Sequence, residues 1–143
     1  MLKFLVAVDG SAPSNRAVDH LVKHLGMLRK TAEVHVLNVQ HPIPYGRRVS
    51  AVVGREKIAR FHREEGMTAL RTVMRKLDAA GIKYHRHIGV GAEAETICEF
   101  ARRKRCDQIF MGTRGLGRMS NLLLGSVATK VIHLARVPVV LVK

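Results

Sequence analysis

No tryptophan occurs in this chain, and only six aromatic residues, four Phe and two Tyr, are spread over its 143 positions. They are too few, and lie too far from the arginine clusters, to form the stacking platform that single-stranded nucleic acids use. The two cysteines, Cys98 and Cys106, make neither a CxxC pair nor a disulfide framework. They read as buried free thiols of a reducing compartment. Long apolar runs are missing too. Nothing approaches the ~20 residues of a membrane span, and the apolar run at residues 4–8 is too short for a secretory leader. Yet 47% of the chain is hydrophobic, which excludes disorder. At this length a chain buries roughly 70% of its extended surface, enough for a full core without staples. The expectation is one soluble cytoplasmic domain over residues 1–143, with no membrane partner.

Acids are the other scarcity: 11 Asp and Glu stand against 25 Lys and Arg, a net charge of +14. Such a surface concentrates polyanions, nucleotides and nucleic acids among them. The cations are denser at 47–76 and at 102–105. The second cluster, however, closes a helix, where positive charge complements the dipole. Charge alone names no ligand, so nucleic acid stands as an alternative partner.

What is present alternates between strand and helix from end to end. Residues 3–8 form a near-continuous apolar run, as in a strand buried on both faces of a parallel sheet. A turn cluster, Asp9-Gly10-Ser11-Ala12-Pro13-Ser14, leads into Ala17, Leu21, Leu25 and Leu28 at helical spacing up to about residue 30. Residues 33–39 alternate and are β-branched, a second strand, which Pro42 and Pro44 end. One long helix is expected over 51–80, carried by Leu70, Val73, Met74 and Leu77 and capped by Gly81. A third strand at 82–88 gives way to a turn at Gly89-Val90-Gly91. Ala94, Ile97, Cys98 and Ala101 mark the next helix. A fourth strand spans 106–111, Val127, Val131 and Ala135 mark a last helix, and a fifth strand closes the chain at 137–142. The order β-α-β-α-β-α-β-α-β predicts a three-layer α/β/α sandwich around a five-stranded, mainly parallel sheet. Ligands of such sheets bind beyond the strand C-termini where strand order reverses. That directs attention to the loops after strands one and four, which hold Asp9 and Gly112.

The fourth strand runs into Met111-Gly112-Thr113-Arg114-Gly115-Leu116-Gly117-Arg118, and onward to Gly125-Ser126-Val127. Glycines directly after a buried strand let backbone N–H groups approach an anion. Gly125-Ser126 falls where a helix begins, an end that favours phosphate. Ser126 can cap that helix or bond a phosphate oxygen, and Arg114 and Arg118 add charge at the rim. Taken alone, a plain loop and an ordinary cap would leave the same residues. Neither GxxxxGK[ST] nor GxGxxG is present, which disfavours a P-loop kinase and a dehydrogenase.

The spacing Gly112-x2-Gly115-x9-Gly125-Ser126 resembles the nucleotide-binding pattern of the universal stress protein family, in its ATP-binding type. The likeness covers the whole chain, from Asp9-Gly10-Ser11 and Leu37-Asn38-Val39 to the closing VPVVLVK. The resemblance implies a Rossmann-type, adenine-nucleotide α-hydrolase-like fold that binds ATP with Mg2+. It implies Gly112, Gly115, Gly125 and Ser126 around the triphosphate, with Val127 giving a backbone donor. Asp9 would meet the ribose or adenine, and Ala7, Val39 and Met111 would line the base. It further implies a homodimer through strand 137–142 acting as a nucleotide-responsive factor in stress adaptation. On charge, Asp9 belongs beside hydroxyl or amino donors or a bridging Mg2+, since a carboxylate repels a triphosphate. Capping the following helix is its alternative role.

Other constellations fall short. His20 and His24, or His85 and His87, could begin a metal site but lack an HExxH partner set. No GxSxG elbow occurs. A receiver domain needs an acid ending strand three, where His87-Ile88-Gly89 stands, and an ATP-pyrophosphatase-type enzyme wants a loop after strand one richer in serine and glycine. No evident base would orient a water for phosphoryl transfer. Binding is therefore expected over catalysis, with slow ATP hydrolysis as the alternative.

Overall fold

The computed structural model describes residues 1–28, 30–44, 46–115 and 123–143. Five strands, β1 (Leu2–Ala7), β2 (Ala32–Gln40), β3 (Tyr84–Val90), β4 (Gln108–Gly112) and β5 (Val139–Val142), form one sheet in the order β3-β2-β1-β4-β5. Every pairing is parallel. Among the described residues five helices accompany them: α1 (Ala12–Met27), α2 (Gly46–Val53), α3 (Arg55–Ala79), α4 (Glu93–Lys104) and α5 (Ser126–Leu134). The expected fold class is the one observed, and β5 lies at an edge.

Strand alternation builds two cores. Phe4, Val6 and Val8 point to one face with Val34, Val36 and Phe110, against Ala17 and Leu21 of α1 and Leu70, Val73 and Leu77 of α3. Leu5, Ala7, Leu37, Ile109 and Met111 point to the other, against Ile97 and Phe100 of α4 and Val131 of α5. Each Val, Leu, Ile, Phe or Met among them, fully buried, contributes about 1.5–3 kcal/mol. No helix among the described residues is long and apolar enough to cross a membrane.

Several boundaries depart from the periodicity. The single helix expected over 51–80 is two helices, because Gly54 between them adopts a φ of +91°, outside helical space. The third strand ends at Val90, since its pairing with β2 continues to Gln40, and the turn falls on Gly91, whose N–H donates to the Gln40 carbonyl. Strand four begins at Gln108 and runs through Gly112, which pairs with Val142. Near β3, Gly66 of α3 lies so close to the sheet that a Cβ there would stand 2.7 Å from Ile88.

Candidate functional site

Strand order reverses between β1 and β4, so the loops after them open side by side above the sheet. In the first loop, Ser11 caps α1, its hydroxyl accepting from the Ser14 N–H at 3.4 Å. The capping role weighed for Asp9 therefore belongs to Ser11. Asp9 shapes the turn instead: its Oδ1 accepts the Ser11 N–H at 2.9 Å, and its own N–H donates to Ser14 Oγ at 3.4 Å.

The second loop starts from Gly112. A Cβ at Gly112 would lie 2.8 Å from the Pro13 carbonyl carbon and the Ser14 nitrogen, so glycine there lets the start of α1 settle on the end of β4. At Gly115 the neighbour differs, for a Cβ would stand 2.5 Å from Asp9 Oδ2. One carboxylate thus holds the turn after β1 through Oδ1 and lies with Oδ2 against Gly115 of the segment after β4. Thr113, buried to 6% exposure, pins that segment: its N–H donates to Val142, and its carbonyl accepts the Gly125 N–H at 2.7 Å.

Gly125 is the N-cap of α5 and makes no side-chain cap. Ser126 is the first residue of α5, exposed and one position past the cap, so the capping role considered for it is not the one it takes. Arg114 is exposed beside this end, while Arg118 lies outside the described residues. Ala7 and Met111 are buried in the α4–α5 core, with Val39 and Val127 packed partly buried against the same cluster. The structure therefore brings Asp9 against Gly115 and ties Gly125 to Thr113. It places Ala7, Val39, Met111 and Val127 in one apolar bed on the α5 side.

Two contributors escaped sequence reasoning. Thr113 hides between glycines, where a small polar residue carries no signal. Asn38 entered only within the Leu37-Asn38-Val39 stretch of the resemblance, with no role; its Nδ2 donates to the Val8 carbonyl at 2.8 Å and locks the end of β2 to that of β1. The cysteines are as expected for Cys106, which is buried, its thiol pushed up to about 11 by burial. Cys98 is only half-buried.

The histidines form rings of contact. His20 and His24 pack on Phe110. His35, on β2, holds Glu33 Oε1 at 2.8 Å through Nε2 and His87 Nε2 at 3.0 Å through Nδ1, with His85 stacked on it. Donation from Nε2 to the carboxylate leaves Nδ1 as the acceptor for His87. Among the described residues no three His, Cys, Asp or Glu groups are placed to hold a metal ion. Burial, then His35 and the cations Lys104 and Arg103, lower His87 to about 4, and burial lowers His35 against the pull of Glu33. A histidine depressed in the folded state gives stability that is complete above its unfolded value near 6.5 and fades as pH drops toward about 4. Urea midpoints should accordingly be flat above pH 6.5 and fall from there to pH 4, with His87→Gln flattening much of the fall.

A parallel five-stranded sheet with helices on both faces, its strand order reversing between β1 and β4, defines a Rossmann-like α/β fold. The universal stress protein family profile matches residues 1–143, and the chain belongs to that family. It is 36% identical over 141 residues to universal stress protein MJ0531 of Methanocaldococcus jannaschii, covering 99% of this chain and 81% of that one. The solved structure of MJ0577 superposes with a TM-score of 0.83 at 28% identity, over 99% and 95% of the two chains. A universal stress protein in complex with cAMP gives 0.68 at 24% identity, over 99% and 96%. An Arabidopsis thaliana family protein with AMP bound gives 0.66 at 21%, over 100% and 92%.

Proposed function

We propose that this protein binds ATP, with Mg2+, in the crevice between the loops after β1 and β4, as a nucleotide-responsive factor in stress adaptation. The observation that carries the reading is the juxtaposition of Asp9 with Gly115 and of Thr113 with Gly125, at the start of α5. Small residues leave room for backbone donors, and the helix start supplies a partial positive charge for phosphate. Gly112, Gly115, Gly125 and Ser126 would surround the phosphates, with Arg118 from the rim and Val127 donating from its backbone. Ala7, Val39 and Met111 would carry the base. Asp9 Oδ2 is the oxygen left to meet a ribose hydroxyl or the cation, because Oδ1 already serves Ser11. Two relatives of the same fold hold cAMP and AMP, which supports an adenine nucleotide as the class of ligand.

The reading covers residues 1–143 as one cytoplasmic domain and assigns no catalytic residue. Calorimetric titration with ATP, ADP and AMP in the presence of Mg2+ tests it. Saturable one-to-one heat with ATP is expected, and no heat at millimolar nucleotide would end the assignment.

The same reading includes a homodimer through the strand at 137–142. β5 is an edge strand whose four residues, all apolar, are each partly exposed, and Ile132 and Leu134 of the preceding helix are 46% and 40% exposed. Unpaired edges of this kind accept a second chain. Light scattering at micromolar concentration should report twice the chain mass of 15.9 kDa; a single mass would remove the dimer.

A further inference from the structure

The core-facing stripe of α3 outruns the sheet it covers. Gly66, Leu70, Val73 and Leu77 are buried on it. At the same helical phase toward the N-terminus come His62 and Ile58, with Ala59 beside them, at i, i+3 and i+4 spacing. Here β3 has reached its last residue, so the stripe overhangs the sheet, and Val90 stays 51% exposed. The result is an open groove of about 490 Å³, floored by α3 and by Ile88 and Val90, and walled by Pro42 and Ile43 of the loop after β2. That volume is in the range of small-molecule sites.

The charge of this groove is one-sided. Its described lining includes Arg55 and Arg63 and no acid. The two arginines sit eight residues apart on the helix, about 12 Å along its axis, one at each end of the apolar stretch. Between them His62 is buried to 7% exposure, and its Nδ1 has no hydrogen-bond partner. An apolar floor, cationic ends and an unanswered ring nitrogen match a molecule with a hydrocarbon body and one acid group.

We propose that the groove between α3, the end of β3 and the loop after β2 is a second ligand site, for a small amphipathic anion. The apolar body lies along Ile58, Ile88 and Val90, and the acid group pairs with one guanidinium. The site uses none of the residues assigned to the nucleotide, and it stands or falls separately from that assignment.

Octanoate is a direct probe, with octanol as its uncharged counterpart. Titration of the full chain should show saturable one-to-one binding of octanoate and at least tenfold weaker binding of octanol. Arg55→Gln or Arg63→Gln should weaken octanoate at least tenfold, Ala59→Trp should abolish it by filling the groove, and saturating ATP should leave it unchanged. Ala59 is exposed, so its variant keeps the parent melting temperature; Val90→Glu gives a second block from the opposite wall. Four results of the titrations would overturn the proposal. These are no saturation, equal affinity for octanol, retention in both blocked variants, or displacement by ATP, which would place octanoate in the nucleotide crevice. Sedimentation with phosphatidylglycerol vesicles in place of one-to-one octanoate binding would assign the groove to a lipid surface and also overturn it.

Discussion

Gly115→Val is expected to lose ATP binding by at least 100-fold while the melting temperature changes little. The added Cβ meets Asp9 Oδ2 at 2.5 Å and, among the described residues within 4 Å, only the Asp9 carboxyl carbon besides. That neighbour is the free end of a side chain. Asp9 can swing away without disturbing β1 or β4, so the fold survives. The cost falls on the proposed site, where the carboxylate is displaced and the branched side chain takes space that the proposal gives to phosphate. Calorimetry and a thermal melt on the same sample separate the two effects. Retained affinity would show that the glycine serves packing alone.

Gly112→Val should do the reverse and fail as a structural change. Its Cβ would lie 2.8 Å from backbone atoms of Pro13 and Ser14, at the N-terminus of α1, and backbone cannot swing aside. Overpacking of this kind costs about 3 kcal/mol, which for a chain of this size lowers the melting temperature by about 10 °C. Urea unfolding read by circular dichroism gives the number. A variant of parental stability would mean that α1 slides easily over the end of β4. The two glycines share a motif but divide its work, Gly112 holding the scaffold and Gly115 the opening.

That division was not legible in the sequence, where the two residues are alike. What could be read was periodicity. The buried strands announced themselves as apolar runs, and the helix stripe at Leu70, Val73 and Leu77 gave α3 its core face. The reversal of strand order between β1 and β4 followed from the class of fold, and so did the two loops that matter. Backbone conformation was harder. Gly54 sits among good helix formers, and nothing in its neighbours foretold a φ of +91° that splits one helix into two. Pairing register was also hidden, since the glycines at 89 and 91 read as a turn while Gly89 and Val90 are held extended by β2 as far as Gln40. Asp9 and Ser126 stood out by type as candidate site residues, and the capping roles weighed for both went to the neighbours Ser11 and Gly125. Caps depend on which residue leaves helical geometry first, and several candidates in a row share the chemistry.

Thr113 hangs the glycine segment from two fixed points at once, giving its amide to Val142 on the outermost strand and receiving that of Gly125. Among the described residues, that pair of bonds is the knot that joins the start of the segment to its end and fastens both to the rim of the sheet. If a nucleotide lies against this segment and a second chain lies on that rim, as proposed, the two meet through Thr113, and thermodynamic reciprocity has each change the affinity for the other by the same factor. Cutting the knot, rather than altering either side, is what would make the two ends of this lever independent.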